Sequence, residues 1–370
     1  MTSDPGARYH RFQLVLMFVG LGVDTVYLGG MAWAGGGQLL AAIARRSSTS
    51  WFVEVAIVAA LLGILHVLFT FPLSWIRGYR LPKRFGLLHQ PIGGWLRDRA
   101  KAAVLGGVFG LFAVETMYAL MRSTEWWWLI AAVVFWFASM LIATILPVWI
   151  VPLFYRLTPL ADAPLSARLT ALAARARIPV VGVYVADHSR KSRTANAMLA
   201  GIGRTRRIIL FDTLVRDFPP DEVESVLAHE LGHHVHADVW RGLALHGVVT
   251  LATFWLADAA LRATAPALGL SDIADPAGLP WVVLLLAAVG LVALPLVNGA
   301  SRSMERSADD FALAVTENPG AFIAAMERLA SLNLAERKPS RIKEILLFSH
   351  PALDRRIARA ARAVPLPGPG

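Results

Sequence analysis

The stretch "VLAHELGHHVHADVWRGLALHGVVTLATFWLAD", from Val226 to Asp258, contains three residues whose types and spacing can do chemistry together: His229, Glu230 and His233. Residues four apart on an α-helix share a face, so both imidazoles can turn a nitrogen to one ion while Glu230 projects beside them. The H-E-x-x-H spacing suits zinc, and a catalytic zinc takes three protein ligands and keeps a further position open. The chain has no cysteine, so the set must be completed by histidine or carboxylate. In "SRSMERSADDFA" Glu305 can complete a two-His, one-Glu site for one zinc ion. Asp309, one helical turn later, can accept the outer N–H of a ligating histidine and fix its tautomer, and Asp310 is the neighbour to be excluded. At such a site Glu230 would act as general base on a water that attacks a peptide carbonyl, with the metal stabilising the oxyanion. His350, before a proline in "FSHPALDRRI", is placed to reach back and donate a hydrogen bond to that oxyanion. His234 and His236 read as cover for the solvent side of the helix.

The elements that must position these residues are membrane elements. Of the 370 residues 56% are hydrophobic and 17% charged, with mean hydropathy +0.54, too apolar for a soluble domain of this length. About six windows reach the roughly 20 apolar residues of a spanning helix: Phe12 to Trp33, Trp51 to Ile76, Ala102 to Met121, Trp126 to Pro152, Leu243 to Leu261 and Leu279 to Val297. The first is retained rather than cleaved as a signal peptide, because Asp24 breaks its apolar run and no small-residue cleavage site closes it. Arg77, Arg80, Lys83, Arg84, Arg97, Arg99 and Lys101 mark the loop 77–101 as cytoplasmic. An even number of spans then puts both termini, the segment from Tyr155 to Arg241 and the tail after Ser301 on that side. The outer loop Ser271 to Ala277 is acidic and fits; Arg45 and Arg46 run against it. The net charge of +10 is explained by loops facing an anionic leaflet, without nucleic acid as a partner.

The fold expected is therefore an all-α membrane bundle with a small α/β peptidase domain on the cytoplasmic side. Residues 1–155 form a membrane domain with four spans; residues 156–370 form the zinc peptidase domain and include the spans near 243–261 and 279–297. Within the second part, "PLSARLTALAARARI" has the period of an amphipathic helix, and "PVVGVYVA", "TANAMLAGI" and "RRIILFDTLV" read as strands. "FPPDEVESVLAHELGHH" opens a helix with Pro220 in its first turn and Asp221 and Glu222 at its positive end. That helix is expected to run without a breaker into the fifth span, and the sixth span to run through "PLVNGASRSMERSADD" into the Glu305 helix. Zinc would then sit where cytoplasm meets bilayer. Asp24, Glu54, His66, Glu115, His246 and Asp258 lie inside spans, where ionisable groups face protein or water, and their number favours a hydrated cavity that could hold a peptide.

With these residues in view, the chain resembles the type I CAAX prenyl proteases, integral-membrane zinc endopeptidases of gluzincin type, and their bacterial relatives. The resemblance runs from about Tyr9 to Ile357 and is carried by "HELGH", "SRSMERSAD", "RLPKRFGLLHQPIGGWLRDRAKA", "TANAMLAGIGRTRRIILFDTL" and "SHPALDRRI". It implies zinc ligation by His229, His233 and Glu305, with Glu230 as base and Asp309 behind a ligand. It also implies that Ala195 to Ala197 form an edge strand to which substrate adds as a strand, with Asn196 on the substrate backbone and His350 assisting the transition state. A large chamber inside the helical barrel is a further implication. Eukaryotic members carry one more helix before "ARYHRFQL", so six spans are expected here rather than seven, and His234 stands where those members have an aromatic. The alanine- and arginine-rich composition points to a bacterial plasma membrane. The implied activity is peptide-bond hydrolysis at the cytoplasmic face, on peptides or proteins that include prenylated or membrane-associated ones. The competing readings are a quality-control protease for misfolded membrane proteins and a non-proteolytic scaffold or transporter with a relict metal site.

Overall fold

The structure, a computed structural model, describes residues 5–145, 149–201 and 203–363. The chain opens with α1 (Pro5–Trp33), a short α2 (Gly36–Ser47) and α3 (Trp51–Trp75); α3 continues through a π-helical turn at Ile76–Arg80 into α4 (Leu81–Arg84). Pro72 inside α3 lacks the N–H that would close its turn, and the widened turn follows directly. The remaining membrane-type helices of this half are α5 (Ile92–Ser123) and α6 (Trp127–Ile145), followed by a single turn, α7 (Val151–Phe154).

The second half begins with β1 (Leu157–Pro159), α8 (Ala163–Arg175), β2 (Gly182–Ala186), β3 (Ala197–Ala200) and β4 (Arg207–Phe211). It continues with α9 (Asp212–Asp217), α10 (Pro220–Val235), α11 (Asp238–Thr264), α12 (Leu279–Thr316), α13 (Pro319–Asn333), α14 (Arg341–Leu347) and α15 (Leu353–Arg362).

Five helical segments among the described residues are long and apolar enough to span: Pro5–Trp33, Trp51–Arg84, Ile92–Ser123, Asp238–Thr264 and Pro276–Thr316. The fourth of the six apolar windows read from the sequence is occupied by α6. This helix has 19 residues, of which Trp127–Ala143 form a shorter apolar run. The end of that window, at residues 146–148, lies outside the described residues. In the connection after the first span, α2 buries Leu40, Ala41 and Ala44 and packs against the turn Pro276–Gly278. Contact is close enough that a Cβ on Gly37 would fall 2.2 Å from Ala277 O. Arg45, which ran against the charge rule, lies 3.9 Å from Asp275 Oδ1.

The sheet has the order β1-β2-β4-β3, with β2 and β4 parallel (Val183 opposite Ile208) and β3 antiparallel to β4 on the open edge (Ala197 opposite Leu210). Three of its strands fall in the three expected runs; β1 was not anticipated. Leu169 and Leu172 of α8, Ile208 and Leu210 of β4, Leu227 and Leu231 of α10 and Phe322 of α13 form its core.

Two expectations about helix continuity part ways. The sixth span does run unbroken into the Glu305 helix: α12 is one helix of 38 residues, about 57 Å, with Pro295 inside it. The His229 helix does not run into the fifth span. It ends at Val235, Ala237 takes a left-handed conformation (φ 55°), and α11 starts afresh at Asp238. The break redirects the chain, because α10 packs on α12 and α13 while α11 packs along α6 and α12.

Three of the six ionisable groups named inside the spans are paired, whereas both carboxylate oxygens of Glu115 are buried without a hydrogen-bond partner among the described residues. Asp24 Oδ1 lies 2.9 Å from His66 Nε2, and Asp258 accepts from Trp127 Nε1 at 2.6 Å and from Arg262 Nε at 2.9 Å. A cavity of ≈ 610 Å³ between α5, α6, α11 and α12 has mainly apolar walls, and of the six groups named from the sequence only His246 lines it.

Candidate active site

α10 is placed by its own ends and by a glycine. Pro220 starts it, and Glu222 in its first turn is buried and receives Arg328 of α13 at 2.8 and 3.1 Å. Gly232 lies so close to α12 that an added Cβ would meet Ala308 Cα at 2.9 Å, so the glycine of "HELGH" sets the approach of the two ligand-bearing helices.

That approach brings His229, His233 and Glu305 together, with one possible ligand atom from each within 4.8 Å of the others. His229 Nε2 is 3.3 Å from Glu305 Oε2, and His233 Nε2 is 3.5 Å from Glu305 Oε1. Ligands about 2.1 Å from a tetrahedral zinc stand about 3.4 Å apart, so the spacing fits that ion. Glu305 Oε2 is buried and makes no hydrogen bond among the described residues, as an atom with a ligand to meet should be. Burial opposes a charge on His229, yet the carboxylates of Asp309 and Glu305 beside it raise the imidazole to about 9. A field that favours a proton at that point favours a divalent cation for the same reason.

Each histidine has a carboxylate behind it. His229 Nδ1 donates to Asp309 Oδ1 at 2.9 Å, and Asp309 in turn accepts from Arg356 Nη2 at 2.6 Å and Nε at 2.9 Å. His233 Nδ1 donates to Asp238 Oδ2 at 2.9 Å, and Asp238 accepts from Arg241 at 3.0 Å. The sequence named Asp309; it missed Asp238, Arg241 and Arg356. Asp238 reaches His233 only because of the break at Ala237. Asp310 is excluded, since it turns outward and pairs with Arg359 at 2.6 Å.

The centre opens into a cleft of ≈ 360 Å³ lined by Glu230, His229, Asn196, His350 and Arg356, with Met326, Leu329 and Ala330 of α13 as an apolar wall. Burial pushes the Glu230 carboxyl above its ordinary value. His350, more than half exposed, brings Nε2 to 3.1 Å from Glu305 Oε1. The segment carrying it is held from α12: Asn298 Nδ2 donates to Leu346 O at 3.0 Å, and Arg302 Nη1 donates to Glu344 O at 2.9 Å and Phe348 O at 2.6 Å.

Ala195, Asn196 and Ala197 do not stand alike. The strand itself runs Ala197–Ala200; Asn196 is exposed, lines the cleft and accepts on Ala197 N–H through Oδ1 at 2.9 Å. Ala195 precedes the strand, and its N–H and C=O are both bonded to the side chain of Asn333, so it offers no open backbone pair.

Comparison with known proteins places this geometry. Residues 159–364 match the family model of peptidase family M48, and residues 5–156 match that of the CAAX prenyl protease N-terminal region, five membrane helices. An uncharacterized metalloprotease, YhfN, of Bacillus subtilis is 28% identical over 360 residues, covering 96% of this chain and 84% of that protein. CAAX prenyl protease 1 of Saccharomyces cerevisiae is 36% identical over 180 residues, 47% of this chain and 39% of that protein. The crystal structure of S. mikatae Ste24p has the same fold, with a TM-score of 0.82 and 23% identity over 97% of this chain and 87% of that one. With a peptidase model matched over more than half its length, a His-His-Glu set spaced for zinc and helices long enough to span, the chain belongs to peptidase family M48 and is an integral-membrane zinc metalloendopeptidase.

Proposed function

We propose that the protein hydrolyses peptide bonds of peptides or proteins at the cytoplasmic face of a bacterial plasma membrane, with His229, His233 and Glu305 as zinc ligands and Glu230 as general base. The observation that carries this is the 3.3 and 3.5 Å spacing of two imidazoles about two oxygens of one buried carboxylate, with Glu230 on the wall of the adjoining cleft. When bound, zinc supplies Lewis acidity, acidifying a water and polarising the scissile carbonyl. Glu230 takes the proton of the attacking water and returns it to the leaving amine, a task its burial-raised carboxyl suits. His350 donates to the oxyanion from the open side of the cleft, and Asp309 and Asp238 keep the outer nitrogens of the two histidines protonated. An extended peptide adds to the edge strand at Ala197, with Asn196 at its backbone and the α13 wall taking an apolar side chain.

The cytoplasmic orientation is supported by Arg77, Arg80, Lys83, Arg84, Arg97, Arg99 and Lys101, all exposed on one connection. A division of the chain near residue 155 is supported by the two family matches, which end at 156 and begin at 159. The relatives named as CAAX prenyl proteases support substrates presented at the membrane, and prenylated ones are included in the test.

The test is mass spectrometry of products after incubation of detergent-purified wild type and Glu230→Gln with matched farnesylated and unmodified peptides. Wild type should cleave, and Glu230→Gln should retain zinc and lose about 10²- to 10⁴-fold in rate. Equal cleavage by Glu230→Gln removes the base; the ratio between the two peptides reads the role of the prenyl group.

A further inference from the structure

The backbone groups along β3 alternate in direction. Phe211 N–H donates to Asn196 O at 3.0 Å, and Ala197 stands opposite Leu210, so Asn196 and Met198 turn their N–H and C=O toward β4. Ala195, Ala197 and Leu199 therefore turn theirs toward the open edge. At Ala195 that edge is already occupied by one side chain: Asn333 Oδ1 accepts from Ala195 N–H at 3.0 Å, and Asn333 Nδ2 donates to Ala195 O at 3.2 Å. A primary amide carries a donor and an acceptor side by side, as a residue of a paired strand does, so Asn333 gives Ala195 both bonds of a strand partner.

The clamp is held in place by its surroundings. Asn333 is the last residue of α13, Leu334 after it turns the chain away in a left-handed conformation (φ 50°), and Arg193 Nε donates to the carbonyl of Leu332 at 3.2 Å. Asn333 also lines the same cleft as Glu230 and Asn196.

We infer that Asn333 is the register stop for peptide binding and so a specificity-determining residue. A peptide added to the edge pairs with Leu199 and with Ala197, whose N–H the exposed Asn196 side chain must give up and whose C=O Asn196 does not cover, and pairing ends at Ala195 because Asn333 holds both backbone groups where the next peptide residue would bond. Beyond that point the substrate must leave the sheet, so on the Ala195 side of the scissile bond only a short length of chain is read through its backbone. The inference rests on the reading that substrate adds as a strand.

The test is a backbone N-methyl scan of one unmodified peptide that the enzyme cleaves, with kcat/KM measured for wild type, Asn333→Ala and Asn333→Ser. Serine stays polar but is too short to reach both groups of Ala195. Because every second amide of an added strand faces β3, sensitive positions should recur two residues apart, each methyl reducing kcat/KM roughly five- to tenfold. In wild type the alternation stops on one side of the scissile bond; in either variant one further sensitive amide appears two residues beyond that stop. An identical set of sensitive amides in wild type and a folded, zinc-loaded variant overturns the role of Asn333. Should neither variant fold, alternation in wild type that continues through three or more amides on both sides of the scissile bond overturns it as well. No sensitive amide anywhere would instead sink the strand-addition reading itself, whatever Asn333 does.

Discussion

Replacing Asp309 should damage the protein in two separable ways, because this carboxylate serves two partners. It accepts the Nδ1 proton of His229 at 2.9 Å and both nitrogens of the Arg356 fork at 2.6 and 2.9 Å, with side chains only 2% (Asp309) and 11% (Arg356) exposed. Removing one partner of a buried ion pair leaves an uncompensated charge and costs about 3–5 kcal/mol, whereas replacing both by apolar groups is often neutral. Losing the acceptor behind a ligating histidine costs about 10- to 100-fold in metal affinity, or about 1.4–2.7 kcal/mol. Asp309→Ala should therefore be destabilised even in chelator, and its zinc affinity reduced as well. Asp309→Ala combined with Arg356→Met should regain most of the stability in chelator and none of the zinc affinity. Denaturation of the detergent-solubilised protein in excess chelator reads the first quantity, and competition with a chromophoric chelator reads the second. A double variant as unstable as the single one would refute the ion-pair argument. Zinc affinity restored to the wild-type value in the double variant would refute the claim that Asp309 acts through His229.

Three further outcomes follow from the same geometry. Glu305→Gln removes the anionic donor shared by two imidazoles and should lose most bound zinc on metal analysis of the purified protein; full retention would transfer the ligand role to another carboxylate. Asp238→Asn should weaken zinc about 10- to 100-fold with little loss of stability, because the Arg241 it releases is half-exposed and remains solvated; an unaltered chelator titration would remove Asp238 from behind His233. Burial holds His188 down to about 4, where it stacks on Phe211 and bonds Thr194, while in the unfolded chain it titrates near 6.5. The unfolded state thus binds more protons below pH 6.5, so this contribution is complete above that pH and is lost as pH falls toward 4, by about 3 kcal/mol in all. His188→Gln should flatten the pH dependence of thermal melting between pH 7 and 4.5, and parallel curves for the two proteins would refute the assignment.

The parts of the centre legible in the sequence are those whose geometry is local. His229 and His233 lie four apart on one helix, and Glu305 and Asp309 lie four apart on another, so each pair's common face follows from helical pitch alone. What was not legible depends on how those helices meet. The sequence carries no glycine or proline between His233 and Trp240, yet the helix breaks there. The break has a physical origin. Gly232 locks α10 against Ala308 while α11 must lie along α6, and the tertiary contacts on either side hold Ala237 in a left-handed conformation that costs an alanine about 1–2 kcal/mol. The continuity expected of the sixth span holds despite Pro295, because neighbouring helices can re-satisfy the carbonyl it frees. Arg356 and Asn333 lie 47 and 138 positions from the groups they satisfy, and no periodicity reaches that far. Even so, chemistry narrows the search. Two ligating histidines call for two acceptors behind them, and Asp309 supplies one, so a second acceptor is to be sought near His233. Asp238, the first carboxylate after the motif, fills that place only in a chain that breaks its helix between the two residues.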